Sequence, residues 1–265
     1  MSRHRSARWP WLALGLVLVC ALAGGCRRVS GVEDLRRFEE ACGQFEQARD
    51  PDDFLRVASL FESILERGGE SGVVLYNLGN AYLRAGRAGL AIAAYRRAQR
   101  YMPRDEFLAD NLAQALGPDR ARAASERTLL EHVLFWQRSV SYPEKLLGVC
   151  LAATLAFLLG IGACLVKSRQ RLLRRSSWVA LGITLVLGVS AGLDVYDVEI
   201  LRHGVVTVPE VIARKGDAES YAPAFTEPLE DGTEFLVIEE RGDWLRVRLP
   251  GRLEGWVPRF KTVVY

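Results

Sequence analysis

The sequence has few of the side chains that most often carry enzyme chemistry. Its 265 residues include three histidines, His4, His132 and His203, and these are far apart. No fixed spacing joins any of them to a nucleophile or to other metal-binding residues. There is also no glycine-rich loop of the kind that binds phosphates. We therefore expect a protein that is not an enzyme and that needs no cofactor and no metal.

Cysteine and net charge are also scarce. Cys20, Cys150 and Cys164 lie in apolar runs and Cys26 lies near a predicted processing site, so only Cys42 lies in soluble sequence. This distribution supports neither a disulfide framework nor a zinc site. The 35 basic and 32 acidic residues give a net charge of +3, so bulk charge does not favour nucleic-acid binding.

The first of three apolar runs lies within residues 1–26, after a start that contains several arginines. Its length and charge pattern predict an export signal. Ala21-x-Ala23 fits ordinary signal cleavage, whereas Ala23-Gly24-Gly25-Cys26 resembles a bacterial lipobox, in which Cys26 would be lipidated. An uncleaved anchor is the third possibility. All three place the following region outside the cytoplasm.

The other two apolar runs predict membrane spans at residues 145–166 and 177–195. The alternative, a buried helical hairpin, would need a larger soluble domain to cover it. Residues 167–176 lie between the two runs and carry five basic and no acidic residues. Such a loop is expected to be cytoplasmic, and anionic lipid explains its charge better than nucleic acid does. The regions before and after the two spans would then share the outer side of the membrane.

A helix–turn–helix pattern occupies residues 72–105. Its positions are Leu75-x-x-Leu78-Gly79-x-x-Tyr82, Ala91-x-x-x-Tyr95, Ala98 and Pro103. This is the pattern of one tetratricopeptide repeat, in which small residues let two helices cross closely. The alternative is an ordinary helical hairpin with the same spacing. Because one repeat cannot bury its own faces, weaker copies are expected on both sides, within residues 27–117.

Four polar residues are candidates for binding a partner in the groove of such an array. Asn77 and Asn80 lie on the first helix of the repeat and would hold a peptide backbone, Arg84 would add charge, and Asn111 belongs to the next helix. The alternative is that all four are exposed to solvent or bonded within the repeat. Residues 118–144 predict a juxtamembrane helix, either interfacial, with Trp136 at headgroup level, or packed as the last helix of the array.

Residues 200–265 change to short apolar strands separated by turns such as Asp231-Gly232 and Pro250-Gly251. This spacing predicts a small all-β barrel. The segment resembles the bacterial SH3 family in Arg214, Gly216, Gly232, Gly242-Asp243-Trp244-x-x-Val247 and Gly255-Trp256-Val257-Pro258. Trp244 and Trp256 are candidates for an aromatic ligand shelf. The alternative is that one or both fill the core of a very small domain.

The order of parts predicts a multidomain membrane protein: an all-α tetratricopeptide solenoid, two transmembrane helices and a small all-β SH3-like barrel. This layout resembles the BatE-type membrane proteins of bacterial aerotolerance (Bat) operons. The resemblance implies partners among von Willebrand A-type membrane proteins and a MoxR-type ATPase system. It also implies a multi-pass protein of the bacterial inner membrane, with both soluble domains on the periplasmic or extracellular side.

Two functions follow from this layout. The first is a non-enzymatic scaffold whose repeat groove binds a partner protein or peptide. The second is a cell-wall sensor whose SH3-like domain binds peptidoglycan. An SH3-tethered hydrolase would need a catalytic set that the sequence does not offer.

Overall fold

The structure is a computed structural model that describes residues 32–68, 71–125 and 135–265. The predicted signal at residues 1–26, with Cys26, lies outside the described residues. Residues 142–194 belong to one compact unit. The described residues before Tyr142 and those from Val195 to Tyr265 together belong to a second compact unit.

The N-terminal part of the second unit is a helical module, which we define as residues 32–125. Its helices are α1 (Val32–Gln47), α2 (Pro51–Glu66), α3 (Gly72–Arg84), α4 (Ala88–Gln99), α5 (Glu106–Leu116) and α6 (Pro118–Ser125). Consecutive helices pack on each other, and α3 also contacts α1 and α5. Asp50, Ser71 and Asp105 cap the starts of α2, α3 and α5 by accepting a hydrogen bond from a backbone amide of the first turn.

Close packing of α3 on α4 explains the spacing of small and aromatic residues. The Tyr95 ring lies directly against Gly79, where an added Cβ would come 2.4 Å from ring carbon Cε1. Gly86, with φ of +73°, allows the short turn between the two helices. Gly117 has φ of +78°, and α6 begins at the next residue.

The first compact unit is a hairpin of two long apolar helices. A short helix, α7 (Phe135–Ser139), precedes α8 (Tyr142–Leu165), a 3₁₀ turn (Lys167–Arg169) and α9 (Gln170–Glu199). The helical segments Tyr142–Leu165 and Lys167–Asp197 are long and apolar enough to cross a membrane. Residues 126–134, in the middle of the predicted juxtamembrane helix, lie outside the described residues.

The structure corrects the prediction that residues 167–176 form a loop. Only the 3₁₀ turn breaks the helices, and Arg171, Arg174 and Arg175 lie in the first turns of α9. Arginine and leucine favour helix, and the segment has no glycine or proline to stop one. The basic residues therefore lie at the bend between the two helices, but in helical conformation.

Near the open end of the hairpin, an ion pair joins the two helices. Lys145 Nζ lies 2.7 and 2.8 Å from the carboxylate oxygens of Asp194, and the lysine side chain is only 1% exposed. A buried charge needs an opposite charge close by, since an isolated one is costly. The pair therefore fixes the register of α8 against α9.

The C-terminal part of the second unit is a sheet module, defined as residues 203–265. Its strands are β1 (His203–Val206), β2 (Glu234–Arg241), β3 (Trp244–Arg248), β4 (Glu254–Pro258) and β5 (Thr262–Val264). They form one antiparallel sheet in the order β4-β3-β2-β1-β5. The prediction of a mostly helical chain with a small β region and two long apolar helices is confirmed.

Candidate functional site

A groove of about 320 Å³ lies on one face of the helical module. Its walls come from α1, α3 and α5, and α4 takes no part. The lining residues are Phe45, Asn80, Leu83, Arg84, Asn111 and Gln114. The structure therefore brings together three of the four predicted groove residues, Asn80, Arg84 and Asn111.

The two groove asparagines are held by a network of tyrosines. Asn80 Oδ1 accepts hydrogen bonds from Tyr95 Oη (2.8 Å) and from Asn111 Nδ2 (2.8 Å). Asn111 Nδ2 also donates to Tyr76 Oη (3.1 Å). Burial raises the pKa of the Tyr95 hydroxyl, so it remains a donor at neutral pH. The Asn80–Tyr95 bond is the bonding within the repeat that was foreseen as the alternative, and the bonds from Asn111 in the next helix help to fix the orientation of both amides.

This network leaves part of each amide unused. Among the described residues, Asn80 Nδ2 donates no hydrogen bond and Asn111 Oδ1 accepts none. An amide side chain has two donor hydrogens and an acceptor oxygen, so a donor and an acceptor remain available in one groove. A peptide group presents the complementary acceptor and donor. The arrangement can therefore hold an extended backbone that lies in the groove.

Arg84 contributes the charge of the groove. Its side chain is exposed and makes no hydrogen bond or ion pair with the described part of the chain. Phe45 and Leu83 are half-buried and supply apolar surface beside it. The site therefore combines backbone recognition, a cation and a small apolar patch.

Asn77 is the one predicted groove residue that does not line this groove. Its Nδ2 donates to the backbone carbonyl of Val73, one turn earlier in α3 (2.9 Å), and it does not line the groove. Asparagine side chains often bond to nearby backbone in this way. Conversely, the sequence pattern did not single out Tyr76 and Gln114. Gln114 could have been found from its position one helical turn after Asn111.

The two candidate tryptophans lie on the outer face of the β3–β4 ladder. Trp244 is opposite Pro258 and Trp256 is opposite Arg246, whereas Leu245 and Val257 between them point into the core of the sheet module. Residues on a strand alternate between faces, so both rings lie on the face opposite Leu245 and Val257. Trp256 is nonetheless only 8% exposed, with the Arg241 guanidinium 5.1 Å from its ring centre. Only Trp244 presents a partly exposed ring.

No group of three or more metal-binding side chains occurs in the parts of the chain that the structure describes. Comparisons of the chain with protein-family models, with curated proteins and with solved structures find no match. Function is therefore argued from the residues and contacts of the chain itself.

Proposed function

We propose that this chain is a non-enzymatic, membrane-anchored scaffold that binds a partner protein through the groove of the helical module. The observation that carries the proposal is a set of groups in one groove that bond to nothing in the described residues: Asn80 Nδ2, Asn111 Oδ1 and the Arg84 guanidinium. Buried and half-buried polar groups are normally satisfied within a protein, so unused ones that face a groove favour an external ligand. The expected ligand is an extended peptide segment with an acidic and an apolar side chain.

The proposal also assigns each module to a family. We propose a tetratricopeptide array for the helical module and an SH3-like barrel for the sheet module. The fit of Tyr95 against Gly79 and the turn at Gly86 support the first part. Under this proposal the partners are von Willebrand A-type membrane proteins and a MoxR-type ATPase system, as for BatE-type proteins.

The proposed location is the bacterial inner membrane, with the basic bend inside and both modules outside. Along α8, Leu147, Leu151, Leu155 and Leu158 are more than half exposed, and lipid chains would cover such a row. The two flanks of the hairpin belong to one compact unit, and parts of one compact unit lie on the same side of a bilayer. This requirement supports two spans, since an odd number would separate the flanks.

Photocrosslinking from inside the groove tests the binding proposal. A photoreactive residue at Gln114, which lines the groove, is expected to yield adducts with the proposed von Willebrand A-type partner in native membranes. The same residue at Ser59, which is exposed on α2, is the matched control. Arg84→Glu should abolish the Gln114 adducts. Equal adducts from Gln114 and Ser59, or adducts indifferent to Arg84→Glu, would contradict the groove assignment.

Cysteine labelling tests the proposed topology. In a background without native cysteines, Ser220→Cys in the sheet module should react with an impermeant maleimide on spheroplasts. Ser168→Cys, in the exposed 3₁₀ turn of the hairpin, should react only after lysis. The reverse pattern would place the basic bend outside.

The second function, a peptidoglycan sensor, now depends on Trp244, because the ring of Trp256 is covered. The partly exposed ring beside Arg246 on the same sheet face favours it. Full-length protein should then sediment with cell-wall sacculi, and Trp244→Ala should remove that binding. Sedimentation that persists in Trp244→Ala would argue against the sensor.

A further inference from the structure

The helical and sheet modules share an apolar interface within one compact unit. Residues on β1 and β5 alternate between two surroundings. Val205 and Val263 pack with the core of the helical module, whereas Val206 and Val264 pack with the core of the sheet module. Val205 is fully buried, so removing α4 would expose it. Both faces of this sheet edge are therefore covered.

An ion pair closes the same interface. Arg96 on α4 donates two hydrogen bonds to the Glu234 carboxylate on β2, at 2.8 and 2.9 Å. The hydroxyl of Tyr265, the last residue, donates to the same carboxylate at 2.7 Å. Bidentate pairs between arginine and a carboxylate are among the stronger polar contacts. Arg96 and Glu234 side chains are 26% and 28% exposed, so solvent screens the pair only in part.

Two glycines let the modules approach closely. An added Cβ on Gly89 of α4 would lie 2.1 Å from the Val206 backbone oxygen and 2.4 Å from Asp231 Oδ1. The Gly89 amide instead donates to Asp231 Oδ1 at 3.0 Å. Across the interface, Ile92 contacts Gly232, whose φ is +80°. Gly89, Ile92 and Arg96 recur every three to four residues, so they form one stripe of α4.

We infer that this stripe of α4 and the β1–β5 edge form an intramolecular docking site, and that the two modules fold and act as one cooperative unit. The partner that the stripe fits is this chain's own sheet. The stripe therefore covers one face of β1 and β5, while the groove of α1, α3 and α5 stays open.

Docking has a consequence for the attachment to the hairpin. The chain enters the hairpin from the helical side at Ser141 and leaves it toward the sheet at Val195. With the modules docked, the compact unit is joined to the hairpin at two points.

A pair of glycine substitutions in the full-length protein, purified in detergent, tests the docking. Alanine favours helix over glycine, so Gly43→Ala, where the added Cβ of α1 meets nothing within 4 Å, should raise the unfolding midpoint by about 2–4 °C. Gly89→Ala should instead lower the midpoint by about 5 °C. Hydrogen exchange of β1 and β5 should become at least about tenfold faster.

The two variants distinguish an effect on the interface between the modules from an effect on helix stability. The three atoms nearest the added Cβ of Gly89, at 2.1, 2.4 and 3.0 Å, all belong to the sheet module, so the closest clashes lie across the interface. Faster exchange confined to the sheet, or lost protection in both modules, supports docking. A midpoint raised in Gly89→Ala as in Gly43→Ala, with exchange of β1 and β5 unchanged, would overturn it. Separate unfolding transitions for the two modules in the wild type would overturn it as well.

Discussion

The helical module has two faces that differ in how completely their polar groups are bonded. On the docked face, Arg96 meets Glu234 and the Gly89 amide meets Asp231. On the groove face, Arg84 has no partner in the described part of the chain, and the two asparagines use only part of their bonding capacity. A face with all its bonds made contributes to stability, whereas a face with bonds left over is suited to an external ligand. Under the proposed function, the same small module uses one face for folding and the other for recognition.

The largest expected effect comes from removing one arginine on each face. Arg96→Ala leaves the Glu234 carboxylate half-buried without its cation, and we expect a loss of about 2–3 kcal/mol in the free energy of unfolding. Arg84→Ala removes an exposed charge that no other described residue pairs with, and it should change the free energy of unfolding by less than about 0.5 kcal/mol. Chemical denaturation of the full-length variants in detergent measures both. Equal losses would abolish the distinction between the faces.

A smaller loss is expected at Asn111, where stability and binding meet. Asn111→Ala removes hydrogen bonds to Asn80 and Tyr76 and should cost about 1–1.5 kcal/mol. It should also abolish crosslinking from Gln114, because the groove loses the Asn111 Oδ1 acceptor and Asn80 loses one of the two bonds that orient it. Asn111→Asp keeps an acceptor but no donor, so it should not restore the network. Loss of stability with unchanged crosslinking would show that Asn111 serves only the fold.

Acidification should weaken the docked face and spare the groove. Burial raises the pKa of Glu234, but the hydrogen bonds and charge of Arg96 and the Tyr265 hydroxyl outweigh it, so the pKa lies below its usual 4.5. A carboxyl with a lowered folded-state pKa stabilises the fold above its unfolded-state pKa, and this stabilisation is lost as the pH falls through the folded-state value. Hydrogen exchange of β1 and β5 should therefore accelerate as the pH falls below 4.5, after correction for the intrinsic rate. In Glu234→Gln this acceleration should be smaller, and an identical pH profile in both proteins would exclude Glu234 as its cause.

The groove face was more predictable from sequence than the docked face, for a physical reason. Gly79, Tyr82 and Tyr95 lie at the fixed spacing of one helical hairpin, so local periodicity indicates their packing. Arg96 and Glu234 are 138 positions apart, and no periodicity links them. One local signal of docking was present in the sequence: Val205 and Val206 are consecutive apolar residues of one strand. Such a pair indicates that both faces of the strand are covered, and both side chains are fully buried.

Other differences arise from short elements and from local competition. The three residues of β5 are too few for an alternating pattern, and they follow Pro258 and a 3₁₀ turn. The positions of Asn77 and Asn80 on α3 do not distinguish their roles. A helical asparagine can bond either to a neighbouring helix or to the carbonyl four residues earlier in its own helix. Spacing alone does not show which of the two bonds forms.

The smallest expected effect therefore belongs to Asn77. Its bond to the Val73 carbonyl is exposed, and that carbonyl lies within a continuous helix. Asn77→Ala should change the free energy of unfolding by less than about 0.5 kcal/mol, because alanine's higher helix propensity offsets the lost bond. Crosslinking from Gln114 should also persist, in contrast to Asn111→Ala. If Asn77→Ala abolished crosslinking while the protein stayed folded, the ligand would extend along α3 beyond the groove, and the boundary between the two faces would have to be redrawn there.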